Sequence, residues 1–165
     1  EEHTRPSDAI ALGPLLRSIR DTLQLKAMER GIRLLIDVED DAPPVLGERD
    51  QLIQVFQNLF DNAVKYGGEG GAVTASATFD DDSASISVTD EGDGVPPEAI
   101  PRLTERFYRV DPARSRELGG AGLGLAIVKH IVNRHRGKLS IQSAPGQGST
   151  FTVTLPLANF SNPDN

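Results

Sequence analysis

Cysteine and tryptophan are absent from the 165 residues, and methionine occurs once. Without Cys there is no disulfide framework and no thiolate metal site, a composition that suits a reducing compartment. Aromatic residues are scarce, six Phe and two Tyr, so the core has to be largely aliphatic. No apolar run approaches the roughly 18 residues that span a bilayer. Positive charge is in deficit: 17 Lys and Arg stand against 24 Asp and Glu, a net charge of −7. That balance argues against nucleic acid as a partner. The length suits one domain with a core of its own. Glycine, by contrast, is plentiful: the sixteen Gly gather near residues 67–71, 92–94, 119–124 and 146–148. Clustered Gly marks backbone that turns sharply or lies close to a ligand.

Hydrophobic spacing organises the chain. Residues 1–9 are polar and aperiodic, a flexible lead-in. Leu12, Leu15, Leu16, Ile19 and Leu23 repeat with helical spacing, Pro14 suits the first turn, and Gly31 stops the helix after Arg30. Residues 32–38 read as a strand, and the acidic, proline-containing run after them as a loop. A helix follows at about 48–66. Residues 72–79 and 84–89 alternate as the two arms of a hairpin. Residues 90–120 hold at most a short helix near 97–103, and so long an irregular stretch inside a compact domain suggests a functional lid. A further helix carries Leu123, Ile127, Ile131 and Val132 on its buried side and ends at Gly137. Residues 138–142 and 150–155 look like two last strands, and residues 158–165 like a frayed tail. The simplest arrangement that buries three amphipathic helices is an α+β two-layer sandwich, a mostly antiparallel sheet with the helices on one face.

Three stretches carry chemistry. On the helix at 51–66, Leu52, Phe56, Leu59, Phe60 and Ala63 fall on one side. Gln51, Gln54, Asn58, Asn62 and Lys65 fall on the other. Solvated helix faces ordinarily use Glu, Lys and Arg, which are better helix formers than Asn. Asn58 and Asn62 stack one turn apart, roughly 6 Å along the axis, and could offer carbonyl oxygens to Mg²⁺ while Lys65 meets phosphate. At residues 90–94, Asp-Glu-Gly-Asp-Gly ends a strand: Asp90 could accept a hydrogen bond from an exocyclic amine, with Gly92 and Gly94 admitting a ring or phosphate to the backbone. Taken alone, that stretch is more simply explained as a plain turn. At residues 119–124, Gly-Gly-Ala-Gly-Leu-Gly opens a helix, a setting in which flexible amides bind phosphate. It lacks both the strand–turn–helix context of a dinucleotide fold and the Lys-Ser/Thr ending of a P-loop.

In their order and spacing the segments become specific. Residues 58–66 (NLFDNAVKY), 90–96 (DEGDGVP), 106–111 (RFYRVD), 119–132 (GGAGLGLAIVKHIV) and 146–157 (GQGSTFTVTLPL) resemble the N, G1, F, G2 and G3 boxes of sensor histidine kinases. The resemblance runs from about residue 10 to residue 157, and residues 100–120 are most similar to kinases of the phosphate-regulon type. It implies the GHKL, or Bergerat, ATP-binding fold: a mixed, mostly antiparallel sheet, three helices on one face, and a mobile ATP lid at about 93–121. It also implies roles. Asn58 and Asn62 would hold Mg²⁺, Asn62 more firmly. Lys65 would contact phosphate, and Tyr66 would lie against adenine. Asp90 would accept the adenine amino group beside Gly92 and Gly94. Phe107 and Tyr108 would anchor the lid, and Arg109 would reach the terminal phosphate. Gly120, Gly122, Leu123 and Gly124 would border the phosphates, Gly146 and Gly148 would hold a neighbouring turn, and Thr150 would sit beside the adenine. Plainer explanations exist for some of these: Tyr66 closing a helix, Phe107 in the core, Ser149 and Thr150 bonding within their own turn.

The family also needs a phosphate-accepting His on a dimerising helical hairpin. His3 stands in surroundings similar to the family's acceptor motif, but no helix pair follows it. His130 and His135 read as solvent-exposed. The resemblance therefore implies a catalytic fragment whose acceptor domain lies upstream of residue 1. The whole protein is expected to be a membrane-anchored homodimer of the inner membrane with this portion in the cytoplasm, the fragment itself monomeric, and a response regulator receiver domain as onward partner. Two other functions compete. An ATPase of the gyrase, Hsp90 or mismatch-repair kind would carry a water-activating Glu where Asn58 stands, and Asn cannot act as a general base. A binding module that has lost ATP would lack Asn62, Asp90 or the glycines, and all are present.

Overall fold

The computed structural model describes residues 6–105 and 124–158. In chain order these form β1 (Asp8–Ile10), α1 (Leu12–Glu29), β2 (Arg33–Asp37), β3 (Val45–Gly47), α2 (Arg49–Tyr66), β4 (Ala72–Phe79), β5 (Ser83–Asp90), a 3-10 turn at Pro97–Arg102, α3 (Gly124–Arg134), β6 (Lys138–Ser143) and β7 (Ser149–Pro156). The main sheet has five strands in the order β2-β4-β5-β7-β6. β2 runs parallel to β4, and the other pairs are antiparallel, so the sheet is mixed and mostly antiparallel as expected.

Alternation along the strands gives the sheet two unlike faces. Val73, Ala75, Ala84, Ile86, Val88, Phe151, Val153 and Leu155 turn inward and join the buried stripes of the helices in one core. That core is aliphatic around Phe56 and Phe60, both fully buried on α2. Each such side chain contributes roughly 1.5–3 kcal/mol through the area it removes from water. On the opposite face hydroxyls pair across β5 and β7: Ser85 with Thr154 (3.1 Å), Ser87 with Thr152 (2.8 Å) and Thr89 with Thr150 (3.1 Å).

The ends of α1 and α3 close by the same hydrogen-bond pattern, through different residues. Past α1, Gly31 is left-handed (φ 67°); its N–H donates to Met28 O at 3.0 Å, and the Ile32 N–H to Ala27 O at 2.8 Å. This is a Schellman closure with the glycine in its usual place. Past α3 the N–H groups of Arg136 and Gly137 donate to Asn133 O and Val132 O. Here the left-handed residue is Arg136 (φ 59°). Gly137 is needed for a different reason, because a Cβ there would sit 2.3 Å from Thr154 O.

Two features depart from the sequence reading. A two-stranded ribbon, β1 with β3, takes in the last two residues of the polar lead-in and the residues just before α2. Strands of three residues are too short to show a period. Ala158 N–H donates to Pro44 O at 2.9 Å, so the chain beyond β7 returns to the same ribbon. The other departure is His135. His130 is exposed as expected, but His135 is 3% exposed, seated where the end of α3 meets the start of α2.

Gly137→Ala is expected to lower stability by about 1–3 kcal/mol, since the added methyl meets backbone that cannot yield. Arg136→Gly should do the reverse, raising stability by up to about 1 kcal/mol as the left-handed conformation loses its steric penalty. Urea unfolding of the two variants against wild type measures both.

Candidate functional site

The site forms where α2 ends. Glu48 caps the start of that helix, its carboxylate accepting from Asp50 N (3.2 Å) and Gln51 N (2.9 Å). The last turn runs into Gly67, whose N–H donates to Ala63 O at 2.7 Å and whose carbonyl accepts from Arg30 Nη2 at 3.0 Å. Arg30 thus ties the C-terminus of α1 to that of α2, a role that 37 residues of separation hide from the sequence.

Asn58, Asn62, Lys65 and Tyr66 all lie half-buried on α2. Asn58 Nδ2 donates to Gly124 O at 3.4 Å, so the first residue of α3 meets the amide row. Oδ1 is the one electron-pair donor of that amide. Lys65 Nζ is 3.0 Å from Asp61 Oδ2, and Lys26 Nζ is 3.6 Å from Asp61 Oδ1. Asp61 is the residue that the sequence reading passed over, although its i,i+4 spacing to Lys65 was visible. Among the described residues, no group of three or more His, Cys, Asp and Glu that could hold a metal is found. Asn58 and Asn62 offer amide oxygens here, donors of the kind that Mg²⁺ accepts.

Asp90 ends β5 and is 7% exposed. Its Oδ1 accepts from Gly92 N at 2.8 Å. Burial pushes its carboxyl pKa above the ordinary 3.8, opposed by hydrogen bonds from the Gly92 and Ser149 backbones. The loop beyond it is held by contacts that leave no room for side chains. A Cβ on Gly92 would lie 2.3 Å from Tyr66 O, and one on Gly148 2.3 Å from Asp90 O. Gly146 N–H donates to Asp93 O at 2.7 Å. Ser143 Oγ accepts from Val95 N (2.9 Å) and donates to Gly148 O (2.9 Å), so the 2.7 Å contact with Ser149 Oγ has Ser149 as donor. The turn at 143–149 therefore braces the loop at 90–95, and Gly94 belongs to the same brace, since a Cβ on it would meet Ala144 O.

The structure thus gathers Asn58, Asn62, Lys65, Tyr66, Asp90, Gly92, Gly94 and Gly124 around the end of α2 and its approach to β5. Thr150 stands apart and corrects the sequence reading. Strand alternation turns it to the outer face, where its hydroxyl pairs with Thr89, and it is Ser149 that lies opposite Asp90. Phe107, Tyr108, Arg109, Gly120, Gly122 and Leu123 lie outside the described residues, as does the greater part of the expected lid.

The family model described as histidine kinase-, DNA gyrase B- and HSP90-like ATPase matches residues 47–159. The chain belongs to this family. It is 47% identical to the phosphate regulon sensor protein PhoR of Pseudomonas aeruginosa over 152 residues, 92% of this chain and 34% of PhoR. Full-length ShkA, crystallised in complex with AMPPNP, superposes with a TM-score of 0.83 at 31% identity, over 99% of this chain and 34% of ShkA. The mycobacterial sensor histidine kinase MprB gives a TM-score of 0.77 at 28% identity, over 92% of this chain and 97% of that one. The similarity is therefore to sensor histidine kinases, and the chain spans about a third of PhoR's length. No helix among the described residues is long and apolar enough to cross a membrane.

Because burial raises the Asp90 pKa in the folded state, folding favours its neutral form. The stability linked to this group is fully present below the ordinary pKa and is lost as pH rises through the raised one. Denaturation of wild type and Asp90→Asn across the acidic range should show the wild type losing ground to the variant as pH rises over that window. A constant difference would mean that Asp90 ionises as freely as in the unfolded chain.

Proposed function

We propose that this chain binds ATP with Mg²⁺ and is the catalytic part of a two-component sensor kinase, donating the γ-phosphoryl group to a His on a separate dimerisation domain for onward transfer to a response regulator. The observation that carries this reading is the pairing of unlike ends in one site. A buried carboxylate at the end of β5 offers an acceptor for the adenine amine, and the amide row of α2 offers neutral oxygens for a cation. The AMPPNP complex of ShkA supports the same ligand class.

The residues divide the work between them. Asp90 accepts from the adenine amine, where guanine would present a carbonyl and leave two acceptors facing each other. Asn62 and Asn58 would hold Mg²⁺, which supplies charge neutralisation along the phosphates when bound. Lys65 meets phosphate after exchanging its Asp61 partner for it. Arg109 would be the cation that reaches the terminal phosphate. Phosphoryl transfer needs in-line positioning and charge stabilisation more than covalent chemistry from the protein. Asn58 leaves water without a base, which favours donation to an imidazole over hydrolysis. The whole protein is then a membrane-anchored homodimer with this part on the cytoplasmic side. PhoR supports a phosphate-regulon type of sensor.

Asn62→Ala should weaken ATP in the presence of Mg²⁺ by tenfold or more, about 1.4 kcal/mol, and metal-free ATP far less. Calorimetry with and without Mg²⁺ compares the two, and equal losses would remove the metal role from Asn62.

With γ-labelled ATP, this chain alone should show little self-labelling and only slow phosphate release. Adding the matching helical-hairpin domain should place acid-labile label on that domain. Rapid phosphate release without any acceptor would favour an ATPase instead.

A further inference from the structure

The nucleotide site draws on one end of the α2–α3 pair, the end at which Asn58 meets Gly124. The opposite end is fastened by a residue that this site does not use. His135 follows the last residue of α3, and its ring bridges two elements. Nδ1 lies 2.9 Å from Ile131 O on its own helix, and Nε2 lies 3.1 Å from the backbone N of Glu48, the residue that caps α2. A backbone N–H only donates, so Nε2 must be the acceptor. A carbonyl only accepts, so the ring proton must be on Nδ1. Both bonds therefore require the neutral ring in a single tautomer. The seat is close-fitting: a Cβ on Gly47 would come within 3.3 Å of the ring's Cδ2. Beside it, Arg134 Nε donates to Gln51 Oε1 at 3.2 Å, a second tie between the same two helix ends.

We propose that His135 is a positioning residue for the nucleotide site: a neutral imidazole that latches the end of α3 to the start of α2 and so sets how the first turn of α3 meets Asn58. A tie at one end of two packed helices limits how far they can slide and pivot against each other, and so bears on how they meet at the other end. Charging the ring would turn Nε2 into a donor facing the Glu48 N–H and remove the latch.

The surroundings set when that happens. Burial holds the His135 pKa below the ordinary 6.5, and the Arg134 charge adds to this, while the bond to Ile131 O and the Glu48 carboxylate oppose it. Glu48 on the α2 side and Arg134 on α3 are the charged groups acting on the ring, and Gly47 of β3 brings none. The Glu48 carboxylate is already committed to the amides of Asp50 and Gln51. With the folded pKa depressed, the neutral latch is intact above the ordinary His range. Stability linked to it is lost as pH falls from that range to the lower folded value.

This inference rests on the ATP-binding reading, and its test separates the two. His135→Gln keeps an amide oxygen for the Glu48 N–H and an amide N–H for Ile131 O, but does not titrate. ATP with Mg²⁺ is titrated into wild type and His135→Gln from about pH 7.5, above the ordinary His range, down through the pH at which NMR shows the His135 ring of the folded protein to protonate, which burial places below that range. Comparison at each pH cancels the titrations of the nucleotide and of Asp90. The two should bind alike at the upper pH, and wild type should lose affinity by about fivefold relative to the variant at the lower, the ratio that one net hydrogen bond gives. Parallel profiles would overturn the proposal, as would a folded His135→Leu with wild-type affinity throughout. If wild type binds no ATP at all, the functional reading fails, and the latch is then judged by NMR without nucleotide. The Asn58 side-chain amide resonance should move with the protonation of His135 in wild type and stay still in His135→Gln. A resonance indifferent to that titration would likewise overturn it.

Discussion

Backbone meets backbone at residues 92 and 148, with no room for a methyl group at either. The carbonyl oxygen of Tyr66 lies 2.3 Å from where a Cβ on Gly92 would stand, and that of Asp90 lies 2.3 Å from where one on Gly148 would stand. The end of α2, the loop after β5 and the turn before β7 are thereby pressed into one block. Everything the site does depends on that contact. It buries Asp90, and only a backbone this close can return the hydrogen bonds from Gly92 and Ser149 that burial makes necessary. It also sets the last turn of α2, with Asn62, Lys65 and Tyr66, beside that carboxylate rather than in open solvent. A larger residue at either glycine would move Asp90 away from the end of α2.

The sheet supplies the register for this block. β5 pairs with β7 along its whole length, ending with Asp90 opposite Ser149. The inner residues of those strands anchor it in the core, and the outer hydroxyl pairs hold it without an apolar surface. Because the side-chain period is two, a slip of one residue would exchange Ile86 and Val88 for Ser85 and Ser87 on the core side. The register is thus fixed by burial over several residues, and the position of Asp90 follows from it.

Much of this was legible in the sequence, and the reasons differ from residue to residue. The stripes of α1 and α2 and the alternation of β4, β5 and β7 are local repeats, so helices, strands and the layer arrangement could be read directly. The amide row on α2 could be read too, as a helix face made of poor helix formers. Strand order could not, because which strands pair is decided by contacts between distant residues. Gly137 was recognised as the end of α3, but the Thr154 carbonyl that leaves no room for a side chain there is distant in sequence and could not be read. His135 looked like a surface residue because its partner, the Glu48 N–H, is 87 positions away. Thr150 was placed one residue out of phase, an error that alternation from the buried Phe151 could have prevented.

Lys65 shows how the same helix face can serve two states. In this structure its ammonium is neutralised by Asp61, one turn back, and Lys26 of α1 approaches the same carboxylate from the other side. Asp61 is half-buried, and an unpaired carboxylate there would be costly. On the proposed reading, in which Lys65 turns to phosphate, Lys26 would remain to offset the charge left on Asp61. Such an exchange would keep one of the two lysines at Asp61 and avoid leaving a half-buried charge unpaired. The Asp61 pair also holds Lys65 in place, so that less side-chain freedom would be lost if Lys65 then met phosphate. The placement of Lys26 on α1, whose C-terminus Arg30 ties to Gly67, gives that helix a part in the site beyond packing. The packing of α1 against α2 thus bears on the charge balance of the phosphate end as well as on the core.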